Sequence, residues 1–272
     1  MKTFKTLILL GTLLLLLIPA RGHAVQMLYG ITWDDKLITI DTSTGLGTLV
    51  GSLDTSMLSF GLATRSGKLY AFDQIADRIR ELDPSTAYTL NTINIGVSTV
   101  GEGGLTFRSD GIGFMSRSSG GTGILWSFDI TVPSSTPITS DGGLNPSMDG
   151  LDFNSNDILY GLSQDDNKLY IINQTTGATV LVGDPGVIDN DHVSGLAFRS
   201  DNVLFAELSG SLYKINSSNG QATLIGGIGY SVSGLTFLGE KPAEVPEPMT
   251  MILLGSGLAG VGLYRRLRKP RG

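Results

Sequence analysis

An all-β fold, a β-propeller of about five four-stranded blades, is predicted by three features of this chain. A Gly-Leu motif recurs through its middle at a nearly constant period. Each recurrence opens a series of short alternating segments separated by turn residues. The first unit lacks the motif, and the last copy of the motif stands without a unit behind it.

The copies are Gly61-Leu62-Ala63-Thr64, Gly104-Leu105-Thr106-Phe107, Gly150-Leu151-Asp152-Phe153, Gly195-Leu196-Ala197-Phe198 and Gly234-Leu235-Thr236-Phe237, at spacings of 43, 46, 45 and 39 residues. Behind the first four comes a polar turn: Arg65-Ser66-Gly67, Arg108-Ser109-Asp110-Gly111, Asn154-Ser155-Asn156-Asp157 and Arg199-Ser200-Asp201-Asn202. A second strand follows, as in Ile158 to Leu162 or Val203 to Ala206. A third often reads Leu-Tyr-x-Ile, as at Leu169 to Ile172 and Leu212 to Ile215. Another polar turn leads into a fourth, such as Ala178 to Gly183 or Ala222 to Gly227.

Four antiparallel strands at this period make one propeller blade. A lone blade leaves both faces wet, so blades pack face to face around an axis. The N-terminal unit supplies only Met27 to Thr32, Lys36 to Asp41 and Gly47 to Val50, and Ser233 to Leu238 is left unpartnered at the other end. Pairing the two completes a blade and removes both exposed sheet edges. The third unit is the irregular one, with Pro133 and Pro137 in its last portion. An open β-solenoid is the alternative, although its coils would be shorter and would not need the missing strand.

The repeat body spans 25–239, and the ends carry addresses. Residues 1–24 read as a secretory signal peptide: Lys2 and Lys5, an apolar core from Thr6 to Ile18, then Gly22-His23-Ala24, with cleavage expected after Ala24. Residues 240–248 are a polar linker ending in Val245-Pro246-Glu247-Pro248. Its prolines disfavour helix and sheet, which keeps it extended and open to an enzyme. The apolar run 249–264 is expected to form a transmembrane helix, of roughly 24 Å against a hydrocarbon core of about 30 Å. Arg265, Arg266, Arg268, Lys269 and Arg271 in the tail 265–272 act as a cytoplasmic stop signal.

Proline motif, apolar run and basic end, in that order, resemble the PEP-CTERM sorting signal of Gram-negative bacteria. The resemblance covers about a tenth of the chain. It implies recognition by an exosortase, a membrane enzyme that cuts near the Pro-Glu-Pro. The body then passes from a transient inner-membrane anchor to the cell surface or extracellular matrix. Signal peptidase and the secretion machinery are the other transient partners, and exopolysaccharide or a matrix protein is a candidate lasting one.

Residues 25–264 hold eleven basic and twenty-five acidic groups, a net charge of −14. Such a body repels nucleic acid and anionic membrane. The absence of cysteine excludes disulfides and thiol chemistry.

Catalytic signals are sparse. After signal removal His192 is the only histidine, which excludes multi-histidine metal sites. It reads as a solvated loop residue. Asp152-x-Asn154-x-Asn156-Asp157 begins like a calcium loop, but Asp157 stands where glycine is needed and Ser163 where glutamate is needed. Turn chemistry accounts for it, and equally for Asp165-Asp166-Asn167 and Trp33-Asp34-Asp35-Lys36. The pattern at 37–45 and 169–177 is loosely similar to repeats of quinoproteins and other secreted propellers, yet no cofactor-docking set accompanies it. Gly101 to Gly104 and Ser118 to Gly123 precede strands rather than helices, so they are not phosphate loops. No catalytic residue, metal ligand or cofactor is assigned. The expectation is an exported, exosortase-sorted protein whose propeller is a binding or structural module. The alternative is a secreted, metal-dependent propeller enzyme with lactonase- or lyase-like activity.

Overall fold

A computed structural model describes residues 26–239, apart from 59–60, 97–102, 120–121, 133, 141, 164 and 188–194. Ala24, the Val245-Pro246-Glu247-Pro248 motif, the run 249–264, the basic residues from Arg265 to Arg271 and His192 lie outside the described residues. Among the described residues no helix is long and apolar enough to cross a membrane.

The strands form five antiparallel sheets of four. The first sheet joins both ends of the body: β20 (Val232–Gly239), β1 (Gln26–Thr32), β2 (Lys36–Ile40) and β3 (Gly47–Ser52). The second is β4 (Leu62–Arg65), β5 (Lys68–Asp73), β6 (Arg78–Leu82) and β7 (Thr89–Ile93). The third is β8 (Leu105–Phe107), β9 (Gly113–Ser119), β10 (Thr122–Asp129) and β11 (Ser134–Pro137). The fourth is β12 (Met148–Phe153), β13 (Leu159–Ser163), β14 (Leu169–Ile172) and β15 (Thr179–Gly183). The fifth is β16 (Leu196–Phe198), β17 (Leu204–Leu208), β18 (Ser211–Ile215) and β19 (Ala222–Gly227).

The innermost strands touch in the cyclic order β4, β8, β12, β16, β20 and back to β4. This is a closed five-bladed propeller, not a solenoid. The seal is the pairing predicted from the missing strand: β1 runs antiparallel to β20, from Gln26 opposite Gly239 to Ile31 opposite Gly234, with a bulge before Thr32 meets Val232. Pro137 lies on the outermost strand of the third blade, opposite Trp126, where one missing N–H leaves no central ladder broken.

The core is divided into five hydrophobic clusters, one at each blade–blade interface. Strict apolar–polar alternation fails on the second strands. Leu159–Ser163 and Leu204–Leu208 are buried at every position, because a neighbouring blade covers each face. Outer strands such as Gly47–Ser52 are partly or fully exposed.

The structure explains each part of the recurrent motif. Its glycine lies against the next blade's motif leucine. A Cβ on Gly61 would sit 2.5 Å from Leu105 Cβ, one on Gly104 2.6 Å from Leu151 N, and one on Gly234 2.7 Å from Leu62 N. The following Phe meets an aromatic of the preceding blade edge to face, in the pairs Tyr70–Phe107, Phe114–Phe153, Tyr160–Phe198 and Phe205–Phe237. The remaining interface has Thr64 in place of Phe.

The quinoprotein-like pattern is turn chemistry. Asp41 Oδ1 accepts from Ser43 N at 2.7 Å and Thr44 N at 3.2 Å. Asn173 Oδ1 does the same for Thr175 and Thr176. Gly45 and Gly177 then take the left-handed conformation that closes each turn, at φ of 81° and 72°.

Candidate functional site: the mouth of the ring

The C-terminal ends of the five innermost strands converge on one cavity of ≈ 430 Å³. Thr64, Thr106, Asp152, Phe198 and Thr236 each bring a different blade to it. The cavity is therefore axial, and the first polar turns of the blades make its rim. The third motif residue lines the cavity in three blades, as Thr106, Asp152 and Thr236; Ala63 and Ala197 are buried in blade–blade clusters, and Thr64 and Phe198, the fourth motif residues, reach the cavity in their place.

Asp152 is the one carboxylate in that ring of five. Its Oδ1 accepts from Thr106 Oγ1 at 2.7 Å and from Phe153 N at 2.8 Å. Its Oδ2 accepts from Phe198 N at 2.6 Å. Three consecutive blades meet at one carboxyl group. Protein atoms enclose the carboxyl while the residue keeps a partly exposed side towards the cavity. Desolvation pushes its pKa up to about 6, against the opposing pull of the three donors. Across the axis Thr64 Oγ1 donates to Phe237 O at 3.0 Å.

The rim is stitched turn to turn. Ser109 N and Oγ donate to the two carboxylate oxygens of Asp157, at 3.1 and 2.6 Å. Ser155 N donates to Asn202 Oδ1 at 2.9 Å, and Asn202 Nδ2 returns a bond to Ser155 Oγ at 2.7 Å. Ser200 N donates to Gln26 Oε1 at 2.8 Å, which carries the stitch onto the closing blade. At the position of Asp157 and Asn202 the third blade has Gly111, and the stitch stops there.

The turn arginines follow a rule with one exception. Arg108 pairs with Asp110 at 2.7 Å and lies 5.4 Å over Phe114. Arg199 pairs with Asp201 at 2.8 Å and lies 5.4 Å over Phe205. These bonds hold the carboxyls of Asp110 and Asp201 below the usual range. Arg65 lies 5.8 Å over Phe107, and its turn carries Gly67 where the others carry aspartate.

The structure corrects one reading of the calcium-like stretch. Asp152 does not belong to the hairpin; it belongs to the axis. Asn154 is the turn residue, accepting from Asn156 N and Ile158 N at 3.0 Å each. The signal was available in the sequence, since the equivalent position in sister units is alanine or threonine. Asp34 serves its own turn, whereas Asp165 ties its hairpin to the segment before β12. Asp165 accepts from Ser147 N and Oγ at 2.8 Å, and Asp34 binds Lys36 and Thr32 Oγ1. Among the described residues no three His, Asp or Glu side chains gather as a metal site.

Comparison with known proteins agrees at two levels. Residues 244–269 match the PEP-CTERM protein-sorting motif. The motif is one recognised by exosortase, and it marks this chain as an exported protein sorted to the cell surface. No curated protein matches the chain. Among solved structures, a symmetrical protein from work on de novo evolutionary emergence is 15% identical, with a TM-score of 0.52, over 78% of this chain and 98% of that one. A chain of a nidogen/laminin complex is also 15% identical, with a TM-score of 0.53, over 78% of this chain and 81% of that one. At such identities the likeness establishes the fold alone. Virginiamycin B lyase from Staphylococcus aureus, at 12% identity and a TM-score of 0.45 over 76% of this chain and 71% of that one, carries no argument about activity.

Proposed function

We propose that the propeller is a binding module displayed outside the cell, with the axial mouth as its ligand-binding face. The observation that carries this reading is the sorting motif at 244–269 following directly on a sealed ring with an open, polar cavity at one end. Hydroxyls from Thr64, Thr106, Ser109, Ser155, Ser200 and Thr236 line that cavity, a surface suited to sugar hydroxyls or a polar peptide. The matrix exopolysaccharide or a matrix protein is the partner class, and the sorting enzyme acts on Val245-Pro246-Glu247-Pro248. The segment 249–264 holds the chain until then, with Arg265, Arg266, Arg268, Lys269 and Arg271 on the inner side.

One observation favours chemistry instead. A carboxyl held near neutrality on the floor of a cavity is a candidate general acid. Both oxygens of Asp152, however, are engaged by donors from its own and two neighbouring blades, which is the arrangement of a clamp. The binding reading accounts for more of the site.

Two measurements test the proposal. The full-length chain is screened for equilibrium binding to the producing cell's exopolysaccharide; retention at the mouth is expected, and loss of it by Thr106→Val with the fold intact. No binding to any matrix fraction would sink it. For sorting, Pro246→Ala with Pro248→Ala in the native host should leave a larger, membrane-bound form. Unchanged release would refute the assignment of the cleavage motif.

A further inference from the structure

Beside the axial cavity lies a second cleft of ≈ 300 Å³, which shares Thr64, Phe107 and Ser109 with it. Arg65 lines this cleft, with Thr64, Ser66, Ser109 and Gly111 around it. Resting on the binding reading above, we propose that Arg65 anchors the carboxylate of a sugar acid whose ring hydroxyls meet the flanking Thr64, Ser66 and Ser109.

Four observations carry this. First, the other two turn arginines are neutralised by the aspartate two residues on, and Arg65 has Gly67 there instead. Second, Arg65 Nη1 is buried without a hydrogen-bond partner. A guanidinium donor left in that state is costly, by about 1–3 kcal/mol or more, and an incoming acceptor that draws the group out relieves the cost. Asp129 lies close enough for Arg65 to lower its carboxyl slightly, but its main partner is Thr131, at 2.7 Å. Asp110 on the cleft wall is already paired with Arg108.

Third, the room beside the guanidinium is specific. A Cβ on Gly111 would fall 2.6 Å from Arg65 Nη2 and 2.7 Å from its Nε. Asp157 and Asn202 occupy this position in the sister blades. Glycine here both admits Arg65 and removes the rim group that would otherwise close over Ser66. Fourth, residues 25–239 hold ten basic and twenty-two acidic groups, a net charge of −12, so the general field of the body repels anions. An anion held here is held by local geometry. A planar guanidinium offers two parallel N–H donors, the fork that a carboxylate fits.

The test is equilibrium binding by the full-length chain in detergent, with glucuronate, polygalacturonate and, as neutral probes, glucose and dextran. Wild type should bind the acidic probes in preference to the neutral ones. Arg65→Gln should weaken acidic binding about tenfold or more, and Arg65→Lys less, because it keeps the charge and loses the fork. Arg78→Gln, an exposed cation away from the cleft, should leave binding unchanged. Thermal melts establish that each variant is folded; if Arg65→Gln is not, the lysine variant decides. Binding of glucuronate alone at this site assigns a free sugar acid, and binding only of the polymer assigns an acidic polysaccharide. Acidic binding unaltered by Arg65→Lys and Arg65→Gln, or dextran bound as well as polygalacturonate, overturns the arginine site and leaves the module reading standing. Failure of the wild type to bind any acidic probe overturns the arginine site, while the module reading stands or falls separately on the screen against the producing cell's own matrix fractions.

Discussion

Replacing Gly104 with alanine tests whether the motif glycine sets the blade spacing. The new Cβ would stand 2.6 Å from Leu151 N and 2.7 Å from Asp149 O, where ordinary contact begins near 3.4 Å. Both obstacles are main-chain atoms of β12, so no side chain can swing aside, and the blades must part by several tenths of an ångström. Because the innermost strands form a closed cycle, parting one interface strains the other four. Overpacking of this kind costs about 1–3 kcal/mol, and obstruction by backbone puts it at the upper end. Alanine recovers about 0.5–1 kcal/mol by restricting the unfolded chain. The net loss is about 2 kcal/mol, or a fall in melting temperature of about 4–8 °C for a body of this size. Gly227 is the internal control, since nothing lies within 4 Å of its would-be Cβ. Gly227→Ala should melt at or slightly above wild type. Calorimetry on the full-length chain and both variants decides the matter. If Gly104→Ala melts within about 2 °C of Gly227→Ala, the close-approach argument is wrong.

The raised pKa of Asp152 has a definite sign. A folded-state pKa of about 6, above the usual carboxylate value, adds stability below about pH 4 that is lost as pH rises to about 6, an effect of about 1–3 kcal/mol given the water at the mouth. The melting difference between wild type and Asp152→Asn should therefore shift against wild type from pH 4 to 7; a difference independent of pH refutes the buried-carboxyl account. Phe237→Ala removes the edge contact to Phe205 on the sealing strand and should cost about 3–5 kcal/mol in denaturant unfolding. A loss under about 1 kcal/mol would mean that the seal does not depend on that ring pair. Arg80 Nε contacts Asp73 Oδ2 at 2.6 Å, and the Asp73 side chain is only 1% exposed. Arg80→Gln should cost about 3 kcal/mol by stranding that carboxylate, whereas wild-type stability would show the pair to be dispensable.

Much of the fold was legible because each blade is a local hairpin series. Turn residues, strand alternation and the Gly-Leu spacing all act within one repeat, so they print on the sequence at short range. Even the long-range seal could be read, since a unit lacking one strand and a strand lacking a unit imply each other. The site was less legible. Asp152 looked like part of a hairpin because its neighbours Asn154 and Asp157 do turn work. Only its register on β12 sends it to the axis. The neutralised arginines could be read from Arg-x-Asp spacing, but the exposure of Arg65 to a cleft depends on Gly111 of another blade.

By itself, then, the chain's order of residues determined export, repetition, blade content and the manner of sealing, because these rest on contacts near in sequence or on segments read by other proteins one at a time. Tertiary structure alone decided which residues share the mouth. Thr64, Thr106, Asp152, Phe198 and Thr236 come from five blades. No local rule relates their chemistry, and only closing the ring brings them within reach of one ligand.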